Sequence, residues 1–179
     1  MTKLLIAALA ALFSTPLLAQ GEPPPGCSEM KGAGDFDFWL GEWDVYGPDG
    51  KLAGRNSVTK RARDCVILEQ WSPGTQGAPG GSSLNFVDPK TGKWRQVWVG
   101  TNTFIDCAGG LTPDGAMLLE GEISYFGTDE PRTVPFRGRW TPSADGSVTQ
   151  SFHEQDPATG EWALWFEGQY RRTGAATND

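Results

Sequence analysis

Short apolar runs and dense turn clusters alternate along the chain from Phe36 onward, and the runs are rich in Val, Ile, Phe, Trp, Tyr and Thr. The clusters are Pro48-Asp49-Gly50, Asp88 to Gly92, Pro113-Asp114-Gly115, Ser143 to Gly146 and Asp156 to Gly160. They set residues that start a reversal beside a glycine that tolerates positive φ, which tight turns need. The runs between them predict strands near 38–47, 52–62, 65–71, 82–88, 93–100, 103–109, 116–126, 132–140, 147–154 and 162–171. Residues 28–38 leave room for one helical turn, and no helical stretch separates the strands. Short strands in series with no helix predict an all-β antiparallel meander.

Such a meander has two open edges unless it closes on itself. Closure of about 8–10 strands gives a single antiparallel up-and-down β-barrel, with room for side chains or one small ligand. A two-layer sandwich is the alternative. The glycine-rich stretch 72–81 is no strand and is expected as a lid over a barrel mouth.

Side chains alternate across a strand, so each run offers two faces. One face of 38–46 carries Trp39, Gly41, Trp43 and Val45; one face of 65–71 carries Cys65, Ile67, Glu69 and Trp71. One face of 93–100 carries Trp94, Gln96 and Trp98; one face of 147–154 carries Val148, Gln150, Phe152 and Glu154. The opposite faces also hold apolar residues, which blurs the assignment. The pattern predicts an interior of large aromatics with a few polar groups. Eight tryptophans exceed what a small core requires, and each brings an N–H that wants a partner when buried. They either fill the barrel or line a ligand cavity.

The amino terminus changes the picture. Lys3, the apolar run Leu4 to Phe13, the break at Ser14-Thr15-Pro16 and the small Ala19 read as a secretory signal over 1–19. The run is shorter than the about 20 residues that cross a bilayer. Residues 20–35, with Pro23-Pro24-Pro25, read as a flexible lead-in, 36–172 as the barrel and 173–179 as a disordered tail. The whole chain of 179 residues carries a net charge of −7, and loss of 1–19 removes only Lys3 among charged residues. An acidic surface repels phosphate backbones and anionic lipid, so nucleic acid and membrane are set aside as partners. Periplasmic or secreted is the expected location.

Cys27, Cys65 and Cys107 allow one disulfide and one leftover thiol in an oxidising compartment. No C-x-x-C is present, and one histidine, His153, fits no zinc ligand set.

The stretch Phe36 to Val45, F-D-F-W-L-G-E-W-D-V, resembles the opening of an uncharacterised bacterial family of lipocalin-like domains, many of them exported. Cys65 to Trp71, Trp94 to Val99, Val148 to Glu154 and Trp162 to Arg172 are similar to later motifs of that family, so the likeness spans about residues 36–172. It implies a lipocalin-like barrel and no particular activity. Gly41-Glu42-Trp43 also resembles the G-x-W of lipocalins in general. That likeness implies that Trp43 plugs the closed end and that an arginine of the last strand packs over it, Arg171 or Arg172, with Arg171 given the role. The resemblance further implies a Cys27–Cys65 disulfide, with Cys65–Cys107 as the other pairing.

Chemical candidates are sparse. His153 is expected to point outward, away from Gln150 and Glu154, and one histidine builds no triad. Glu69 among aromatics would have a raised pKa suited to acid–base work, unless Arg137 or Arg139 pairs with it. Asp88 to Gly92 lacks the acidic count of a calcium loop and is expected as a hairpin turn. No cofactor or metal is expected. The leading expectation is a barrel binding a small, largely apolar molecule. Trp71, Trp94, Trp98 and Phe152 would line the pocket, and Glu69, Gln96 and Gln150 would fix orientation. A barrel isomerase or hydrolase using Glu69, and a filled barrel serving as an envelope interaction module, are the alternatives.

Overall fold

The computed structural model describes residues 26–174. The expected signal, the first part of the lead-in and the end of the tail lie outside the described residues.

Ten strands follow in order: β1 (Gly41–Tyr46), β2 (Leu52–Arg61), β3 (Val66–Pro73), β4 (Gly81–Val87), β5 (Trp94–Gly100), β6 (Thr103–Leu111), β7 (Met117–Tyr125), β8 (Arg132–Pro142), β9 (Val148–Gln155) and β10 (Trp162–Arg172). Each pairs antiparallel with its sequence neighbours, and β1 pairs with β10 to close one up-and-down barrel of the lipocalin-like type. Closure leaves no free edge, which disposes of the sandwich.

The turns form as their chemistry dictates. Asp88-Pro89-Lys90-Thr91-Gly92 and Asp156-Pro157-Ala158-Thr159-Gly160 make the same hairpin turn. In the first, the Gly92 N–H donates to Asp88 O at 2.8 Å; in the second, the Gly160 N–H donates to Asp156 O at 2.7 Å. The aspartate side chains also cap the turns, accepting from the N–H of Lys90 at 2.9 Å and of Ala158 at 2.7 Å. The Asp88 to Gly92 segment is thus a hairpin turn, as its composition predicts.

One end of the barrel is sealed by the segment before β1. Residues 27–29 and 37–39 are 3-10 turns. Phe36 and Trp39 are wholly buried, with Phe36 stacked on Trp39 (centroids 4.9 Å apart) and edge-on to Trp94 and Trp140. Trp43 donates from Nε1 to Trp39 O at 2.9 Å and meets Tyr170 edge-on. Aromatic pairs in such geometries add about 0.5–1.5 kcal/mol each beyond the area they bury.

Two expectations need correction at this end, and the disulfide takes the first of its two expected pairings. Residues 26–35 are not a loose lead-in. The Cys27–Cys65 disulfide ties them to the β2–β3 turn, the Cys27 N–H donates to Arg63 O, and Trp94 Nε1 donates to Gly32 O at 3.0 Å. The pairing Cys65–Cys107 does not form, because Cys107 is free and buried inside the barrel. The arginine over Trp43 is Arg172, its Cζ 4.0 Å from the ring centroid; Arg171 lies over Tyr46 at 5.1 Å. Strand parity decides between them. Tyr170 points inward, so Arg172 shares its face and Arg171 takes the other. The Arg172 guanidinium occupies the space a Cβ would fill at Gly41, whose φ of +140° only glycine adopts freely, and it also donates to Leu40 O. Gly41 therefore makes room for the arginine that covers Trp43.

Candidate functional site

The other end of the barrel is less full. Between the sealed end and the mouth lies a cavity of about 110 Å³, lined by Glu69 and Trp71 of β3, Gln96 and Trp98 of β5, Ile105 of β6, Gln150 and Phe152 of β9, and Trp165, Phe166 and Tyr170 of β10. That volume holds several waters or one small organic molecule. Trp165 sits at a break in the β9–β10 register between Leu164 and Phe166 and remains 46% exposed. The loop between β3 and β4 lies at this same end but is shorter than the expected 72–81, because Ser72 and Pro73 extend β3 and Gly81 starts β4, leaving residues 74–80.

Glycines create the room for the large rings. Gly81 faces Trp98 so closely that any Cβ would overlap the indole. At Gly54 a Cβ would come within 2.7 Å of the Trp71 ring. The rings support one another: Trp71 meets Phe166 edge-on at 6.4 Å between centroids, and Phe152 stacks on Trp165 at 6.0 Å.

A buried polar network forms the cavity floor. The Glu69 carboxylate accepts from Asn56 Nδ2 at 2.7 Å and from Ser83 Oγ at 2.5 Å. Asn56 Nδ2 also donates to the Tyr170 hydroxyl at 3.1 Å, and that hydroxyl donates to Gln150 Oε1 at 2.6 Å. Asn85 Nδ2 donates to Ser83 Oγ at 2.8 Å, and Gln96 Nε2 donates to Asn85 Oδ1 at 2.9 Å. Asn56 Oδ1 is buried with no partner among the described residues. The network thus has donors committed and acceptors to spare.

Glu69 is the chemically distinctive member. No arginine pairs with it: Arg137 bonds Glu120 at 3.1 Å and Arg139 bonds Asp114 at 2.5 Å, both on the outer wall. Burial dominates its environment and lifts its pKa to about 7, although the Ser83 and Asn56 hydrogen bonds pull the other way. Burial also pushes the Cys107 thiol up to about 12 and holds the Tyr170 hydroxyl well above its usual value. Both stay neutral where Glu69 titrates.

Six of the seven residues expected around a ligand meet at this cavity: Glu69, Trp71, Gln96, Trp98, Gln150 and Phe152. Trp94 does not. It shares a face with Gln96 and Trp98 but lies at the sealed end, against the disulfide and Gly32, where only about 10 Å³ is open. Alternation fixes the face a residue takes and says nothing of its depth. Tyr170, Phe166, Trp165 and Ile105 were not anticipated, nor were Asn56, Ser83 and Asn85 behind them. The polar members of β2 and β4 alternate with outward residues and were visible in principle as Asn56 and as Ser83 with Asn85. His153 faces outward as expected, yet it is half-buried and its Nδ1 is covered without a partner among the described residues. The outer wall also carries Leu84, Val99 and Phe104 exposed on β4, β5 and β6.

The fold and this cavity define a closed ten-strand antiparallel barrel with one aromatic-lined interior site. No protein-family model matches the chain, and no curated protein matches it either.

Proposed function

We propose that this chain is an exported barrel that binds a small, largely apolar molecule in its open half. The observation that carries the reading is the combination of an aromatic-lined cavity with a hydrogen-bonded polar floor at Glu69, Gln150 and Tyr170. Binding sites for small molecules have this form: mostly apolar walls and a few convergent polar groups. A periplasmic or secreted location is supported by the Cys27–Cys65 bridge, which persists in oxidising compartments, and by the signal-like pattern of residues 1–19. The resemblance to exported lipocalin-like domains points the same way.

Native mass spectrometry of protein purified gently from its own host tests the proposal. A bound small molecule lost on denaturation is the expected result. A bare mass, with no ligand recovered from host extract, counts against a binding barrel.

One observation favours a second reading, an isomerase or hydrolase. Glu69 faces the cavity with no cation paired to it and with a pKa of about 7, as a general acid or base would. Turnover of a bound ligand that disappears in Glu69→Gln while binding persists would select it.

A further inference from the structure

The binding reading leaves the ligand's chemistry open, and the charge of the site narrows it. Among the ten lining residues there is one carboxyl group and no arginine, lysine or histidine. An anionic ligand would bring its charge beside Glu69 with nothing to neutralise it, and desolvating two like charges together is strongly unfavourable. A cation meets the opposite situation. A buried carboxylate without a counter-charge gains most from an ion pair, because the low dielectric that penalises it alone also strengthens the attraction.

The hydrogen-bond inventory points in the same direction. Glu69, which lines the cavity, has lone pairs beyond those used by Asn56 and Ser83, and behind it Asn56 Oδ1 accepts from nothing among the described residues, so no donor of the protein saturates this corner. The Gln96 carbonyl oxygen meets only the weak Cys107 thiol donor at 4.0 Å. A ligand rich in N–H donors matches this surplus of acceptors. The walls add a third argument. Trp71, Trp98 and Tyr170 bring electron-rich ring systems to the cavity, and such rings attract cations more strongly when water is excluded.

We propose that the molecule taken by this cavity is a protonated amine on a small apolar or aromatic body, with the ammonium group at Glu69 and the body among the rings of Trp71, Trp98, Phe152 and Phe166. The inference rests on the binding reading above. The groups facing Glu69 from the neighbouring strands are Asn56 of β2, Ser83 of β4 and Tyr170 of β10, and the Cys107 thiol of β6 is near enough to feel the Glu69 charge. None of these changes charge near neutrality. Amine binding therefore strengthens as Glu69 ionises, levels off above pH 7 and weakens by about tenfold for each pH unit below it.

The test is a tryptophan-fluorescence titration of the mature protein with three near-isosteric probes: phenethylamine, 2-phenylethanol and phenylacetate. At about pH 8 the amine is still a cation and Glu69 is ionised. The expected result is amine binding at least about tenfold tighter than the alcohol, with phenylacetate weakest. Glu69→Gln should erase the preference for amine over alcohol. If that variant folds poorly, the pH profile of the unaltered protein serves instead, falling below pH 7 for the amine and staying flat for the alcohol. Alcohol binding as tight as amine binding, or an amine preference indifferent to both pH and Glu69→Gln, overturns the cation inference and leaves the binding reading standing. Failure of all three probes, together with a bare native mass, overturns both.

Discussion

The two ends of this barrel use the same residue types to opposite effect. At the sealed end, Phe36, Trp39, Trp43 and Trp140 contact one another and leave almost no open volume. In the open half, Trp71, Trp98, Phe152 and Phe166 surround a space instead of filling it. What differs is the supply of additional side chains. The segment 26–40 inserts its own aromatics under the sealed end and is anchored there by a disulfide. Among the described residues no equivalent segment enters from the mouth, and the floor of the open half is made of hydrogen-bonded polar side chains. Tryptophan content alone therefore does not distinguish a plug from a pocket; what separates them is whether another segment closes the gap.

The largest effect that could break this contrast is on stability. Trp43→Ala removes a fully buried ring and should cost about 4 kcal/mol in urea unfolding. Trp71→Ala borders space that is already open and should cost about 1.5 kcal/mol or less, because fewer contacts are lost. Equal costs at the two positions would mean that the open half is packed as tightly as the sealed one. Next in size is the anchor. Replacing Cys27 and Cys65 together by alanine should cost about 3 kcal/mol, the usual effect of freeing a loop of this kind. The sequence separation it spans is 38 residues. The loss should leave β6–β9 protected in hydrogen exchange while the amides of 27–40 open first.

The polar floor has its own signature. Glu69 has its pKa raised from 4.5 to about 7 on folding, so the folded state prefers the protonated acid. The stability tied to that protonation is fully present below pH 4.5 and is lost as pH rises through 7, amounting to about 3 kcal/mol. Glu69→Gln should flatten this part of the stability–pH curve, and a variant with the same slope as the parent would place the titration elsewhere. The smallest effect sharpens the assignment at the sealed end. Arg172→Ala should cost about 1.5 kcal/mol through the lost ring contact and the lost bond to the Leu40 carbonyl, whereas Arg171→Ala should stay within about 0.5 kcal/mol.

Much of this architecture is written in two-residue periodicity. The strands fall within two residues of expectation at every boundary except the start of β1, where Asp37–Trp39 turns as 3-10 helix instead of extending. The faces bearing Trp43, Glu69, Gln96 and Gln150 all point inward as alternation suggests. What alternation leaves out is depth and departure from regularity. Trp94 and Trp98 have the same parity and lie at opposite ends of the interior. The register break beside Trp165, which carries that ring to the rim, has no sequence mark in a run that reads as one strand. The sealing segment is hidden for a different reason: consecutive tight turns have no period, so 26–35 looks like linker although Ala33 is buried. The Arg171–Arg172 choice, by contrast, was decidable from parity with Tyr170.

The seam between β1 and β10 has a consequence for how the molecule is made. Every other strand finds its partner in the next stretch of chain, so hairpins from β1 to β9 can form in order of synthesis with small loops to close. The last pairing sets Trp43 opposite Arg172, and the Thr173 N–H donates to Glu42 O at 3.0 Å. The edge of β1 thus waits, unpaired, until almost the whole sequence has been delivered. A chain truncated before β10 would keep nine strands, two sticky margins and an uncovered Trp43, which is a recipe for self-association, not for a smaller barrel.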